Sequence, residues 1–428
     1  MAMLTVHSNP LTEPGHGDAG GMTVYVRQLA KSLAARGTTV DIFTRADTAD
    51  GSVTELYPGV RVIGIKGGPT GITKEAVPVY LPEFTCNLTE WVRDEEVRYD
   101  LVHSHYWLSG RVAAKVAARW ELPFVHTFHT LGLVKNQALR PGDSREPDLR
   151  LQGEAKVAAN ASAIVVSTHE ERRWLIDLYA VDPERVHLIT PGVDHRLFQP
   201  ADRQGAKKAL GLIGRTVLLY VGRLQPLKGA DTAIRAFGKL ISSGALDPAT
   251  ATLLIVGGAS GMNGGSEVEA LHRLAADLGL QGCVTFIPAK PQTALPAYYQ
   301  AADVCIVPSH VESFGLVALE AQACGAVVVA SDISGLRSIV EHGSTGLLAR
   351  PGDADDFAAM IGRVISSRQF ARKIATKAAA RTSKYSWDSS AGAMHQLYAT
   401  VPAGSLRFRV ERVEAGINLE WSRRNVAR

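Results

Sequence analysis

The chain is poor in the features that mark secreted, metal-binding and membrane proteins. It carries four cysteines, Cys86, Cys283, Cys305 and Cys324, among 428 residues, and their spacing fits no zinc site or disulfide framework. Two lie in apolar stretches, where a free thiol behaves as a small hydrophobe, so a reducing, cytoplasmic setting is expected. No stretch approaches the roughly 18 consecutive apolar residues of a membrane span, and the N-terminus lacks the basic and apolar regions of a signal peptide. A formal charge of +4 over this length is too diffuse to argue for nucleic acid. It remains compatible with phosphorylated small substrates. The sequence has no repeats and no low-complexity segment.

What is present is a soluble globular composition, 46% hydrophobic and 21% charged. The length predicts two domains of roughly 200 residues each. Short Val/Ile/Leu runs recur at α/β spacing: 1–6, 40–43, 60–65, 101–103, 124–127, 164–167 and 186–189, then 217–221, 253–256, 284–287, 304–307, 327–330 and 346–348. Helical patterns separate most of them, among them 22–35, 87–98, 231–241 and a last amphipathic stretch after Tyr385-Ser386-Trp387. Such runs suggest parallel sheets covered on both faces. Turn chemistry at Thr190-Pro191-Gly192 places the boundary between two α/β halves.

The stretch Glu312-Ser313-Phe314-Gly315-Leu316-Val317-Ala318-Leu319-Glu320 follows a buried strand and opens a helix. Ligands bind beyond the carboxyl ends of strands in open α/β sheets, and a helix N-terminus there offers backbone donors to an anion. Ser313, Phe314 and Gly315 are therefore candidates for a phosphate, and Glu312 and Glu320 for hydroxyls. A nucleotide-sugar offers both. Earlier in the same half, Gly222-Arg223-Leu224-Gln225-Pro226-Leu227-Lys228-Gly229 sets two cations in a loop after a strand, able to converge on a diphosphate. As an alternative they are two solvated cations.

The first half has a glycine-rich loop of its own, ending Gly17-Asp18-Ala19-Gly20-Gly21, which either approaches a ligand or merely turns the chain. His103 and His105 share one face of a strand end, but no third ligand follows, so no metal site is expected. His129 lies where a sheet's ligand crevice is expected and is a candidate substrate contact. Residues 135–150 read as a loop rich in Arg, Asp and Pro, either mobile or simply solvated. In the tail, Leu406, Phe408 and Val410 alternate as a short strand would, within an otherwise basic segment.

These motifs together resemble retaining glycosyltransferases of the two-domain GT-B architecture, in the large family 4 group that includes sucrose-phosphate synthases. The resemblance runs to about residue 400 and rests on Glu312–Glu320, Gly222 to Gly229, and Gly20-Gly21. Within the group the sequence is most similar to enzymes that move N-acetylglucosamine from UDP to 1D-myo-inositol 3-phosphate in mycothiol synthesis, through His103-Ser104-His105-Tyr106-Trp107-Leu108-Ser109-Gly110 and Phe128-His129-Thr130-Leu131 with Val134-Lys135-Asn136. The resemblance implies two Rossmann-like doubly wound parallel-sheet domains facing a cleft. Residues 1–192 would bind the acceptor and 193–385 the nucleotide-sugar, 386–400 would form a helix returning to the first domain, and 401–428 a basic tail.

It further implies catalytic roles for Glu312, His129, Arg223 and Lys228. Its donor set is Gly21, Arg223, Lys228, Lys290, Glu312, Ser313, Phe314, Gly315, Leu316 and Glu320, with Glu320 on the ribose. Its acceptor set is His7, Asp18, Gly20, Gly21, Thr23, Lys74, Tyr106, Thr130 and Arg150. Two cations and two hydroxyls suit a dianionic phosphate. The family's Gly-Gly-Met-Asn reads Gly20-Gly21-Met22-Thr23 here, which removes an amide available to an inositol hydroxyl. No cofactor or metal is implied, since cations at the leaving UDP take a metal's place. The partners are the UDP-sugar and a phosphorylated acceptor, and a homodimer is left open. Another sugar or acceptor at the same donor site, as in sucrose-phosphate synthases, is the nearest alternative. A glycan phosphorylase and a non-catalytic nucleotide-sugar-binding protein are more distant ones.

Overall fold

The structure is a computed structural model and describes every residue except 16, 18, 47–51, 140–143, 260–263 and 403–428. Asp18 and the alternating segment at Leu406, Phe408 and Val410 lie outside the described residues.

Eight strands make the first sheet: β1 (Ala2–Leu4), β2 (Val40–Arg45), β3 (Val53–Tyr57), β4 (Val60–Ile65), β5 (Val102–His105), β6 (Phe124–Thr127), β7 (Ala163–Val166) and β8 (Val186–Leu188). Their order across the sheet is β3-β4-β2-β1-β5-β6-β7-β8. The pairs are parallel except β3 with β4. Six strands make the second: β9 (Thr216–Val221), β10 (Ala251–Val256), β11 (Val284–Ile287), β12 (Val304–Val307), β13 (Val327–Ser331) and β14 (Leu347–Ala349), in the order β11-β10-β9-β12-β13-β14. Every pair there is parallel.

Alternation along each strand sends side chains to both covered faces. Leu4, Phe43, Ile63 and Phe124 fill one face of the first sheet, and Met3, Ile42, Val62 and Val125 the other. Leu218, Leu253 and Ile306 answer Leu219, Leu254 and Cys305 in the second. Each such side chain contributes about 1.5–3 kcal/mol on burial. The chain thus forms two parallel-sheet α/β domains.

Three elements differ from the sequence-based expectation. The edge strand β3 was missing from it because Val53–Tyr57 is largely exposed and has no continuous apolar run. The second helix spans Val77–Asp94 rather than 87–98, with Pro78 in its first turn and Pro82 inside it, prolines that mask its start in the sequence. The described residues within 135–150 are not one solvated loop. Lys135 belongs to the helix Gly132–Gln137 and Arg150 to the helix Asp148–Asn160, and both pair with the half-buried Glu146 between them.

The last helix, Trp387–Thr400, packs on the first domain: Trp387, Ala391, Met394 and Leu397 share a core with Met3, Tyr25 and Leu29. The chain therefore crosses between domains twice, after Ile189 and again before Trp387. The crossings run side by side. Val193 N donates to Tyr385 O at 3.2 Å, and a Cβ on Gly192 would stand 2.1 Å from Trp387 N.

Candidate active site

β12 runs into Pro308-Ser309, and the helix Leu316–Ala323 is preceded by Gly315, whose φ of 101° only glycine adopts without strain. No side chain among the described residues caps that helix, which leaves its first N–H groups without intrahelical partners. Glu312 lies in the turn, half-buried. Its Oε2 meets Lys228 Nζ at 2.6 Å and Ser309 Oγ at 3.5 Å. Two glycines make this possible. A Cβ on Gly229 (φ 70°) would stand 2.2 Å from Pro308 O, and one on Gly335 2.1 Å from Glu312 O. The loop bearing Lys228 thus sits directly on the end of β12.

Glu320, one helix turn further in, is 7% exposed. Gln292 Nε2 donates to its Oε1 at 3.1 Å and Tyr299 OH to its Oε2 at 3.0 Å. Burial pushes its carboxyl up to about 7, with the two hydrogen bonds opposing the rise. A carboxylate has about four lone-pair sites, so it keeps capacity for a further donor.

The first domain closes over this turn. Ser313 Oγ donates to the His129 carbonyl, and Gln28 Nε2 reaches Gln292 Oε1 at 3.4 Å. A Cβ on Gly20 would lie 3.1 Å from Arg223 Nε, and one on Gly21 3.9 Å from Leu316 Cδ1. Gly15 meets Ala289 similarly, at 2.7 Å, which sets the half-buried Lys290 beside the same seam. Thr23 is buried, and its hydroxyl is engaged by Ser8 Oγ at 2.9 Å and Gly20 N at 3.3 Å.

A second polar cluster lies on the first domain next to His129. Arg150 is 4% exposed and donates to Thr130 Oγ1 (3.0 Å), Glu154 Oε1 (2.7 Å) and Glu146 Oε2 (2.9 Å). Its guanidinium stands 5.2 Å from the Tyr106 ring centre, and the His7 ring packs against Tyr106 at 4.3 Å, tilted by 40°. Lys74 is near enough to act electrostatically on Tyr106 and Lys135. Burial lowers the Lys135 ammonium, helped by Arg150, while Glu146 bonds to it. Burial opposes ionisation of Glu146, but Arg150 and Lys135 prevail and hold its carboxyl below the ordinary range. Glu146 thus holds two cations at once, the arrangement an external anion would need.

Between the clusters, Tyr106 (φ 71°) and His129 (φ 62°) both adopt left-handed backbone, uncommon away from glycine. Behind them His103, His105 and His126 are fully buried. Burial drives His103 and His129 down to about 3 and lowers His105 and His126 strongly as well. Each has a neutral partner: Tyr398 OH and Thr127 for His103, Ser104 for His126, and His129 for His105. Among the described residues no three His, Cys, Asp or Glu side chains are placed to hold a metal.

The structure thus brings Lys228, Glu312, Ser309 and Ser313 into one group, with Arg223 facing Gly20, and gathers His7, Lys74, Tyr106, Thr130 and Arg150 into another. It leaves Thr23 in contact with its own loop. Around these candidates stand Gln28, Gln292, Tyr299, Lys135, Glu146 and Glu154, which sequence reasoning did not single out as candidates. Only the buried i, i+4 spacing of Glu146, Arg150 and Glu154 carried a signal.

The family described as "Glycosyl transferase 4-like domain" matches residues 20–192, and that described as "Glycosyl transferases group 1" matches 202–381. A D-inositol 3-phosphate glycosyltransferase of Acidothermus cellulolyticus is 46% identical over 91% of this chain and 88% of its own. One of Corynebacterium jeikeium is 42% identical over 97% and 100%. The sucrose-phosphate synthase structure from Thermosynechococcus elongatus superposes with a TM-score of 0.86 at 34% identity, over 93% of this chain and 98% of that one. The chain belongs to the GT-B glycosyltransferase family whose curated members include the D-inositol 3-phosphate glycosyltransferases, and it is a glycosyltransferase.

Proposed function

We propose that this enzyme moves N-acetylglucosamine from UDP-N-acetylglucosamine to 1D-myo-inositol 3-phosphate with retention at the anomeric carbon, in the cytoplasm, as a step of mycothiol biosynthesis. The observation that carries the reading is the pairing of two opposite demands across one seam. One side has carboxylates and a cation around an open helix N-terminus. The other has Arg150, Lys135 and Lys74 around Thr130 and Tyr106, joined to the first through His129 and Ser313. A nucleotide diphosphate-sugar suits the first and a phosphorylated polyol the second.

In this reading Glu320 accepts from the ribose hydroxyls, Glu312 from the donor sugar, and Arg223 with Lys228 balances the diphosphate. Charge grows on the departing UDP in the transition state, and the fixed cations and helix N–H groups stabilise it there without reorganising. The acceptor hydroxyl attacks from the face UDP leaves, and a phosphate oxygen takes its proton. Glu312 then acts on a hydroxyl of the donor sugar and forms no glycosyl-enzyme.

The decisive experiment is a matrix of UDP-sugars against phosphorylated polyols and hexoses, read by UDP release, with the product anomer assigned by NMR. The reading expects turnover with UDP-N-acetylglucosamine and inositol 3-phosphate to an α-linked product. No turnover with inositol phosphate, and turnover with a hexose phosphate, would move the protein to the alternative favoured by its likeness to the sucrose-phosphate synthase.

A further inference from the structure

His105 has no place in the chemistry above, yet it is fully buried and its Nδ1 lies 3.0 Å from Nε2 of His129. Its other nitrogen, Nε2, is buried with no hydrogen-bond partner among the described residues. The opposite ring differs. His129 is half-buried, and its Nδ1 makes no hydrogen bond to a described residue and is not among the buried orphan atoms. That nitrogen is therefore the one open to a ligand.

Only one proton sits between the two rings, and its position fixes everything else. If His129 donates, His105 must carry its own proton on Nε2, which becomes a buried N–H with no acceptor. If His105 donates, its Nε2 is a bare lone pair. An orphaned buried donor is rarer than an under-used acceptor, so the second arrangement is favoured. We propose that His105 is a positioning residue that fixes the tautomer of His129, its Nδ1–H donating to His129 Nε2 so that His129 presents Nδ1–H to the cleft. This rests on the reading of His129 as a group that meets the substrate.

The surroundings hold both rings to this arrangement. Tyr25 stands edge-on to His129 at 4.9 Å and to His105 at 5.7 Å, and His103 packs against His105 at 4.4 Å. The left-handed backbone of His129 fixes the direction of its side chain. Burial keeps both rings neutral near pH 7, so neither supplies a second proton that would break the bond. The chemical consequence is definite: His129 is a hydrogen-bond donor to a substrate oxygen, not a general base. Its partner is a sugar hydroxyl or an oxygen of the leaving diphosphate, and turnover gains no pH limb from it between about 5 and 8.

Nitrogen-15 spectra of the histidine rings in the full chain test this directly, with His129→Gln used to assign the signals. The expected result is a protonated Nδ1 and an unprotonated Nε2 on His129. His105→Phe removes the donor: His129 then samples both tautomers, and kcat falls about tenfold or more, with both KM values within about twofold. His105→Asn, which places an amide near the Nδ1 position, restores most of the rate. An unprotonated Nδ1 on His129 in the native protein overturns the proposal, as does a folded His105→Phe with native kcat and an unchanged His129 spectrum. Should His105→Phe fail to fold, the native spectrum decides alone. Native turnover by His129→Ala would instead remove the substrate contact of His129, and with it the rate effect, while the spectrum still reads the pairing.

Discussion

Lys228 Nζ lies 2.6 Å from Glu312 Oε2 across 84 positions of sequence. The pair is partly exposed, with side chains 25% and 21% accessible, so it is a working contact more than a source of stability. On the proposed reading, the cation that would meet the diphosphate is paired, before the donor binds, with the carboxylate that would meet the sugar, and donor binding has to separate them.

Glu312→Gln should therefore bind UDP more tightly than the native enzyme while transferring sugar more slowly, since Lys228 is released but the sugar loses its acceptor. Lys228→Ala should lose on the order of 10² or more in kcat/KM for the donor. Calorimetry with UDP and steady-state rates check both. Equal UDP affinity in Glu312→Gln would show that the pair does not compete with the ligand.

Glu320 makes a pH prediction. Its carboxyl is raised in the folded chain to about 7, against an ordinary value of about 4.3 when unfolded. The native state then binds the proton more tightly than the unfolded state. The associated stability is fully present below about 4.3 and is lost as pH rises through about 7. Glu320→Gln removes this dependence. Chemical denaturation should show the variant gaining on the native protein from pH 4.5 to 7, by on the order of 3 kcal/mol, and by no more above that. A difference that stays constant across the range would mean the carboxyl is not raised.

Glu146 occupies Lys135 and Arg150 at once, so on the proposed reading a phosphorylated acceptor has to displace it. Glu146→Gln should lower KM for the acceptor severalfold and leave KM for the donor unchanged. Arg150→Ala should do the reverse for the acceptor and also destabilise the fold by about 3–5 kcal/mol, because Glu154 loses its buried partner. Thermal unfolding and acceptor titrations separate the two effects.

Gly229→Ala combines a left-handed backbone with a Cβ 2.2 Å from Pro308 O. The loop must lift from β12, carrying Lys228 off Glu312. The expected outcome is a stability loss of at least about 1 kcal/mol and a fall in transfer rate comparable to that of Lys228→Ala. Native kinetics in this variant would show that the loop has slack.

Most of the architecture was legible because β-strands buried on both faces announce themselves as continuous apolar runs, as in Val304–Val307 and Val327–Ser331. β3 was not, since an exposed edge strand has no such run. The glycine turns at Gly229 and Gly315 were readable as turns. Their function as points of backbone contact was not, because the atoms they accommodate come from Pro308 and Leu336. Lys135 and Glu146 looked like surface charges for a related reason. Their burial follows from how two short helices dock, which no local pattern records. Gln292 and Tyr299 lie far from any motif and reach Glu320 only through the packing of the second domain.

The paired crossings at Val193 and Tyr385 have a mechanical meaning. A single connecting strand lets two bodies twist, tilt and slide, whereas two strands bonded side by side form a strip that bends along one line and resists torsion. The domains should open as a book does along its spine. Such a hinge would return Ser313 to the same carbonyl of His129 on every closure, so that the register between the two faces of the seam is set by the binding of the book rather than by what lies within it.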